Sequence, residues 1–210
     1  MLVYDIMTGT KEKIFNISID LFSEYGYDGV SIRQIAKEVG IKESSIYNHY
    51  KSKEAILDSI LEFYINEMTN DEIPLSKADE NLDVNFDYFY NAGLELYMSK
   101  LKNPQMMKIT RLILIESYHN EKINGFLKKA MLEGPVKGWT ELFNLMKTKK
   151  LIKSDCDTVQ LAESFYFYGF FLIYQHFIVN YPEDDEEFLK ELSEKSRRQI
   201  NLIYNSVKVV

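Results

Sequence analysis

A chain of 210 residues, 46% of them hydrophobic, is long enough for one or two domains with their own core. Its net charge of −7 excludes nucleic-acid binding by bulk positive charge, so any such role needs a local patch. A single cysteine, Cys156, excludes an intrachain disulfide framework and fits the reducing cytoplasm.

Four prolines, nine glycines and a preponderance of Leu, Ile, Lys and Glu predict an all-α fold. The N-terminus, MLVYDIMTGTKEK, has no basic lead and no long apolar stretch, so no signal peptide is expected. A first helix is predicted from about Thr10 to Tyr25, with Ile14, Ile17, Leu21, Phe22 and Tyr25 on one apolar face. GYDG, beginning at Gly26, stops it, with Gly26 in a left-handed cap. Ser31 and Gln34 form an S-x-x-Q capping box for a second helix, whose inner face is Ile32, Ile35, Ala36 and Val39. Gly40 ends it in a tight turn. A third short helix is predicted over Lys42–Tyr50, with Ile46 and Tyr50 inward. Ser52 caps a fourth, running from Lys53 to about Met68.

NDEIPLSKADENLD, Asn70 to Asp83, is polar and acidic and reads as a linker. Beyond it, long helices are expected at about 84–101, 104–118, 120–149 (with a possible break at EGP, 133–135), 156–180 and 183–206. Asn120 and Asp155 are expected caps, and Pro182 followed by EDDEE marks the last helix start. The apolar part of the uncharged run Ser164 to Pro182, from Phe165 to Val179, falls short of the roughly 20 apolar residues of a membrane span. It predicts a buried central helix, and no membrane partner is expected.

Charge is unevenly placed. Residues 1–53 carry seven basic and seven acidic side chains, so residues 54–210 hold the whole −7. Between Lys42 and Lys53, Lys42, Lys51 and Lys53 stand against Glu43 alone. Two short helices joined by a glycine turn, after a longer first helix, make the helix-turn-helix plan. The third helix presents Glu43, Ser44, Ser45, Tyr47 and Asn48 outward. Asn pairs with an adenine edge, Ser with either base, and Glu accepts from cytosine N4.

The order and spacing of Phe22, Gly26–Tyr27, Ser31, Ile35–Ala36, Gly40–Ile41, Ile46–Tyr47, His49–Tyr50 and Lys53–Glu54 resemble the DNA-binding domain of the TetR family of transcriptional regulators. The resemblance implies an N-terminal three-helix helix-turn-helix domain, residues 1–53. A larger C-terminal helical domain, residues 54–210, would bind ligand and dimerise, and helix four (53–68) would connect the two. It implies a double-stranded DNA operator read in the major groove, an unidentified small-molecule effector and a homodimer through the last two helices. Tyr47, His49 and Lys53 fall at positions that touch phosphate in the family, with Ser31, Lys42 and Lys51 as further contacts. His49 has a second reading, as the holder of the turn after helix three. Lys42 stands where the family usually has a Ser or Thr cap. Glu43 either reads a base or restrains non-specific binding.

No catalysis is expected, since no Ser–His–Asp set or Gly-rich phosphate loop stands out. No cofactor or metal is expected either: Glu116 and His119 lack a third ligand, and His176 reads as a satisfied core histidine. Phe86, Phe89, Tyr90, Trp139, Phe143, Tyr166 and Phe170 are the candidate ligand-binding aromatics, each with core or interface as the alternative. The competing reading of the whole chain is an α-helical small-molecule binder or enzyme that has lost DNA binding.

Overall fold

A computed structural model describes residues 9–70, 86–181 and 185–209, the side chains of 86–89 excepted. The expected linker from residue 71 on, the Pro182 helix start and the side chains of Phe86 and Phe89 therefore lie outside the described residues. The helices are α1 (Thr10–Tyr25), α2 (Ile32–Val39), α3 (Glu43–Ile46), α4 (Lys53–Thr69), α5 (Phe86–Leu101), α6 (Pro104–Glu116), α7 (Glu121–Phe126), α8 (Gly134–Thr148), α9 (Thr158–Tyr174) and α10 (Asp185–Val207). Two π-helical stretches, Leu127–Glu133 and Gln175–Val179, precede α8 and follow α9. The fold is all-α, as composition predicts.

Packing divides the chain differently from chain order. One compact unit holds the described residues up to Thr69 together with Asn103–Asn124, and the other holds the rest. The reason lies in the apolar faces. Helix α4 buries Ile56, Leu57, Ile60, Leu61 and Tyr64, and α6 buries Met106, Ile109 and Ile113. Both complete the core that α1 begins. The Tyr64 hydroxyl, 3.4 Å from that of Thr110, is pushed up to about 12 by burial. Polar contacts add to the seam: Gln105 Nε2 donates to Asn16 Oδ1 at 2.6 Å, Lys108 pairs with Asp20, and Arg111 donates to the Ser23 carbonyl at the end of α1. Within α1 the buried face is Ile14, Phe15, Ile19 and Phe22. Ile17 and Leu21 are half-buried, and Tyr25, expected inward, is 58% exposed at the last residue of the helix.

In the second unit, the expected break at EGP is a π-helical turn rather than an interruption. Pro135 has no N–H to return to the Met131 carbonyl four residues back, and that carbonyl accepts from the Tyr166 hydroxyl instead. Asn120 caps α7 as expected, its Oδ1 accepting from the amides of Lys122 and Ile123. The cap of α9 is Asp157, not Asp155, with its carboxylate accepting from the amides of Val159 and Gln160. His176 is buried, stacked on Phe188 at 3.9 Å, with Nε2 2.9 Å from the Asp185 carboxylate. The expected burial of the 165–179 segment holds on one side only. Phe167, Phe171, Tyr174 and Val179 are 42%, 57%, 41% and 65% exposed. Among the described residues, no helix is long and apolar enough to cross a membrane.

Candidate nucleic-acid interface and effector cavity

In the first unit, local chemistry sets the helix-turn-helix. Ser31 opens α2 through a complete capping box: its hydroxyl accepts from the Gln34 amide at 3.2 Å, and Gln34 Oε1 accepts from the Ser31 amide at 2.8 Å. Gly40 closes α2 at φ 80°, ψ 31°. The amide of Ile41 reaches the Ala36 carbonyl at 2.9 Å, and that of Gly40 reaches Lys37 at 3.2 Å, which is the Schellman hydrogen-bond pattern. Ile35, Ala36, Ile46 and Tyr50 are buried and hold α3 against α2.

Helix α3 is shorter than the predicted Lys42–Tyr50. Only Glu43–Ile46 is α-helical, and the chain then tightens, with Asn48 bonding to the Ser45 carbonyl and His49 to that of Ile46. Ser, Asn and His are weak helix formers, and no side chain caps the start at Lys42. The result is an exposed run. Lys42, Glu43, Ser44, Tyr47, Asn48, His49 and Lys51 all face solvent, as does Ser31, whereas Ser45 is half-buried. Arg33 and Lys37, absent from the candidates, are also exposed, one turn apart on α2. Their spacing opposite the buried Ile35 and Ala36 was the available signal.

Lys53 is used differently from its neighbours. Its ammonium donates to the carbonyls of Tyr27 and Val30 at 2.9 and 3.0 Å, and lies 4.1 Å from the centre of the Tyr27 ring. It staples the turn between α1 and α2 to the start of α4, which leaves less of its charge for phosphate. Glu54, the next residue, is paired with Lys122, which also reaches Asp58. These two hydrogen bonds raise the Lys122 pKa. Gly26 takes φ 77° with ψ 159°, a positive-φ conformation but an extended one rather than the expected left-handed cap. A β-carbon there would stand 2.6 Å from a Glu116 carboxylate oxygen.

In the second unit, a cavity of about 140 Å³ opens among α5, α8, α9 and α10. Tyr90, Trp139, Tyr166 and Phe170, four of the candidate aromatics, line it. Phe143 does not: it is buried beneath Trp139, ring centres 6.1 Å apart. The site candidates omit Phe165 and Gly169 of α9 and Ser196 and Gln199 of α10, and the last two come from a separate helix farther along the chain.

The family model described as bacterial regulatory proteins, tetR family, matches residues 14–60, the stretch that builds α1 to α3 and the start of α4. Residues 14–60 are thus similar to the DNA-binding part of the TetR family. The chain is 43% identical over 74 residues to the Bacillus subtilis protein named uncharacterized HTH-type transcriptional regulator YerO, covering 33% of this chain. It is 42% identical over 60 residues, 29% of this chain, to the Staphylococcus aureus biofilm operon icaADBC negative transcriptional regulator IcaR. The matches span 26% and 32% of those relatives' own lengths. Likeness of fold runs further. A TetR family regulator from Pseudomonas syringae superposes with a TM-score of 0.67 at 16% identity, over 97% of this chain and 99% of that one. A transcriptional regulator from Aquifex aeolicus does so at 0.63 and 23%, over 93% and 99%. At these identities the TetR-family likeness beyond residue 60 is one of fold.

Proposed function

We propose that this chain is a sequence-specific DNA-binding transcriptional regulator, a cytoplasmic repressor that works as a homodimer and is released by a small ligand. The observation that carries the reading is the exposed run Lys42–Ser44, Tyr47–His49 and Lys51, presented by the Schellman-turned α2–α3 pair inside the family-matched residues. Lys42, Lys51, Tyr47 and His49 bind phosphate, with Ser31 beside them, while Ser44 and Asn48 read base edges. Half-buried Ser45 makes a smaller contribution. Glu43 accepts from an exposed amino group and disfavours phosphate elsewhere.

By function, residues 1–53 form the DNA-reading head and residues 54–210 supply ligand binding and dimerisation. Phe167, Phe171 and Tyr174 recur along one side of α9, and Leu202 on α10 is 70% exposed. A second copy of the chain covers these residues, pairing the last two helices with their symmetry mates. Two heads then meet major grooves about one helical turn apart. The ligand must bind the DNA-incompetent state more tightly, and operator DNA weakens ligand by the same factor. That IcaR is named a negative regulator supports repression as the direction.

The test is anisotropy of labelled DNA from upstream of the chain's own gene, titrated with purified protein at several salt concentrations. Affinity should fall linearly on log–log axes, because phosphate contacts release counterions. Absence of salt-sensitive binding would reject the repressor and favour a helical small-molecule binder that has lost DNA recognition.

A further inference from the structure

The aromatic cavity of the second unit carries a statement about its ligand. This inference rests on the reading of that unit as the effector-binding part. Size comes first. At about 140 Å³ the cavity is close to the roughly 150 Å³ apolar cavity that takes up benzene, and well below the roughly 300–1,000 Å³ of sites for drug-sized ligands.

Shape and polarity narrow it further. Phe165 meets Trp139 edge-on at 4.2 Å and 65°, and meets Tyr90 edge-on at 5.7 Å and 78°. A flat ring entering among them continues the same edge-to-face arrangement. Among the described residues, no charged side chain lines the space; its polar groups are tyrosine hydroxyls with Ser196 and Gln199 from α10. Burial raises the Tyr90 pKa, so its phenol is neutral at any working pH. A charged ligand would lose its hydration there, and Arg197, the cation whose field reaches the Tyr90 hydroxyl, is already paired with Glu95. A long alkyl chain would exceed a volume of this size. By contrast, the larger cleft of this unit, about 610 Å³, is lined by Glu187, Glu191, Glu194, Lys190 and Lys195.

We propose that this cavity binds an uncharged aromatic no larger than a fused ring pair and bearing one hydrogen-bonding substituent, with the ring against Trp139 and Phe165 and the substituent toward Ser196 and Gln199. Phenols are the simplest members of the class.

Trp139 is the only tryptophan, so its emission reports on the site. The full-length chain is titrated with 4-methylphenol, benzamidine, decanoate and toluene, using emission and calorimetry. The phenol should bind saturably, about tenfold or more tighter than the cation, the fatty acid or the unsubstituted ring. Gly169 lines the cavity, and a β-carbon there meets nothing within 4 Å. Gly169→Leu should therefore fill the space, abolish phenol binding and leave Tm unchanged or raised, since leucine is the better helix former. Ser196→Ala, a second variant, should erase the preference for 4-methylphenol over toluene.

Tighter binding of benzamidine or decanoate overturns the proposal. So does phenol binding that survives in a folded Gly169→Leu, or a phenol preference untouched by Ser196→Ala. Phenol that binds but leaves operator affinity unchanged rejects ligand release while upholding this inference. Operator binding without any phenol binding does the reverse.

Discussion

The ammonium of Lys53 sits 4.1 Å from the centre of the Tyr27 ring and donates to the Tyr27 carbonyl at 2.9 Å. With the Val30 carbonyl as a second acceptor, this one side chain ties the turn before α2 to the first residue of α4. Tyr27 in turn lies edge-on to Phe22 of the α1 core, ring centres 5.2 Å apart. The position at which recognition is expected is thereby linked to the packing of the head. Lys53→Ala should lower unfolding free energy by about 2 kcal/mol, the order expected for charge-assisted hydrogen bonds with a cation–π contact. Urea denaturation measures it. The salt slope of DNA binding separates two roles: a staple leaves the slope unchanged, whereas a phosphate contact reduces it by about 1.

Gly26 is held chiefly by its positive φ; the Glu116 carboxylate, 2.6 Å from where a β-carbon would stand, is the end of a flexible side chain and has only to swing aside. Gly26→Ala should destabilise the protein by about 1–3 kcal/mol. Adding Glu116→Ala should restore only the steric share. Full restoration in the double variant would show that the backbone carries no strain.

Asn48 and Lys51 are both exposed, yet their substitutions should differ in kind. Asn48→Ala should relax preference at one base pair, by about 1–3 kcal/mol between the best base and the others. Lys51→Ala should weaken binding to every sequence alike and flatten the salt dependence. Binding to a set of operators mutated one position at a time distinguishes them, and uniform effects from both would remove the base-reading role of Asn48.

Phe171 lies at the centre of the exposed α9 stripe and is 57% exposed. Phe171→Glu places a charge where a second copy should bury an aromatic ring. Sedimentation velocity should show a monomer with an unchanged far-UV helical signal, and operator affinity should fall because only one half-site is held. A dimer of undiminished stability would move the interface elsewhere.

Much of the head was legible in the chain because its signals are local. The Ser31–Gln34 box, the Gly40 turn and the Ser52 cap each act within a few residues, and each forms as spacing predicts. The aromatic candidates were legible as a group but not one by one. Helical periodicity marks an apolar face without saying whether it meets a core, a cavity or a partner. Phe143 is packed in the core, Tyr90 lines a cavity and Phe171 faces outward. The four-residue length of α3 was missed because its apolar anchors, Ile46 and Tyr50, keep helical spacing through a turn that is no longer α-helical.

By itself, then, the sequence determined the helical class, the caps at Ser31, Ser52 and Asn120 and the order of the helix-turn-helix, all set by hydrogen bonds and side-chain periods spanning a turn or two. Only the tertiary structure decided the rest. It placed Asn103–Asn124 with the head, turned the Lys53 ammonium onto Tyr27 and Val30, and drew Ser196 and Gln199 to a cavity begun by Tyr90. Each of these joins groups more than twenty residues apart. No local period encodes such a meeting; it follows from which apolar faces bury one another when the chain closes.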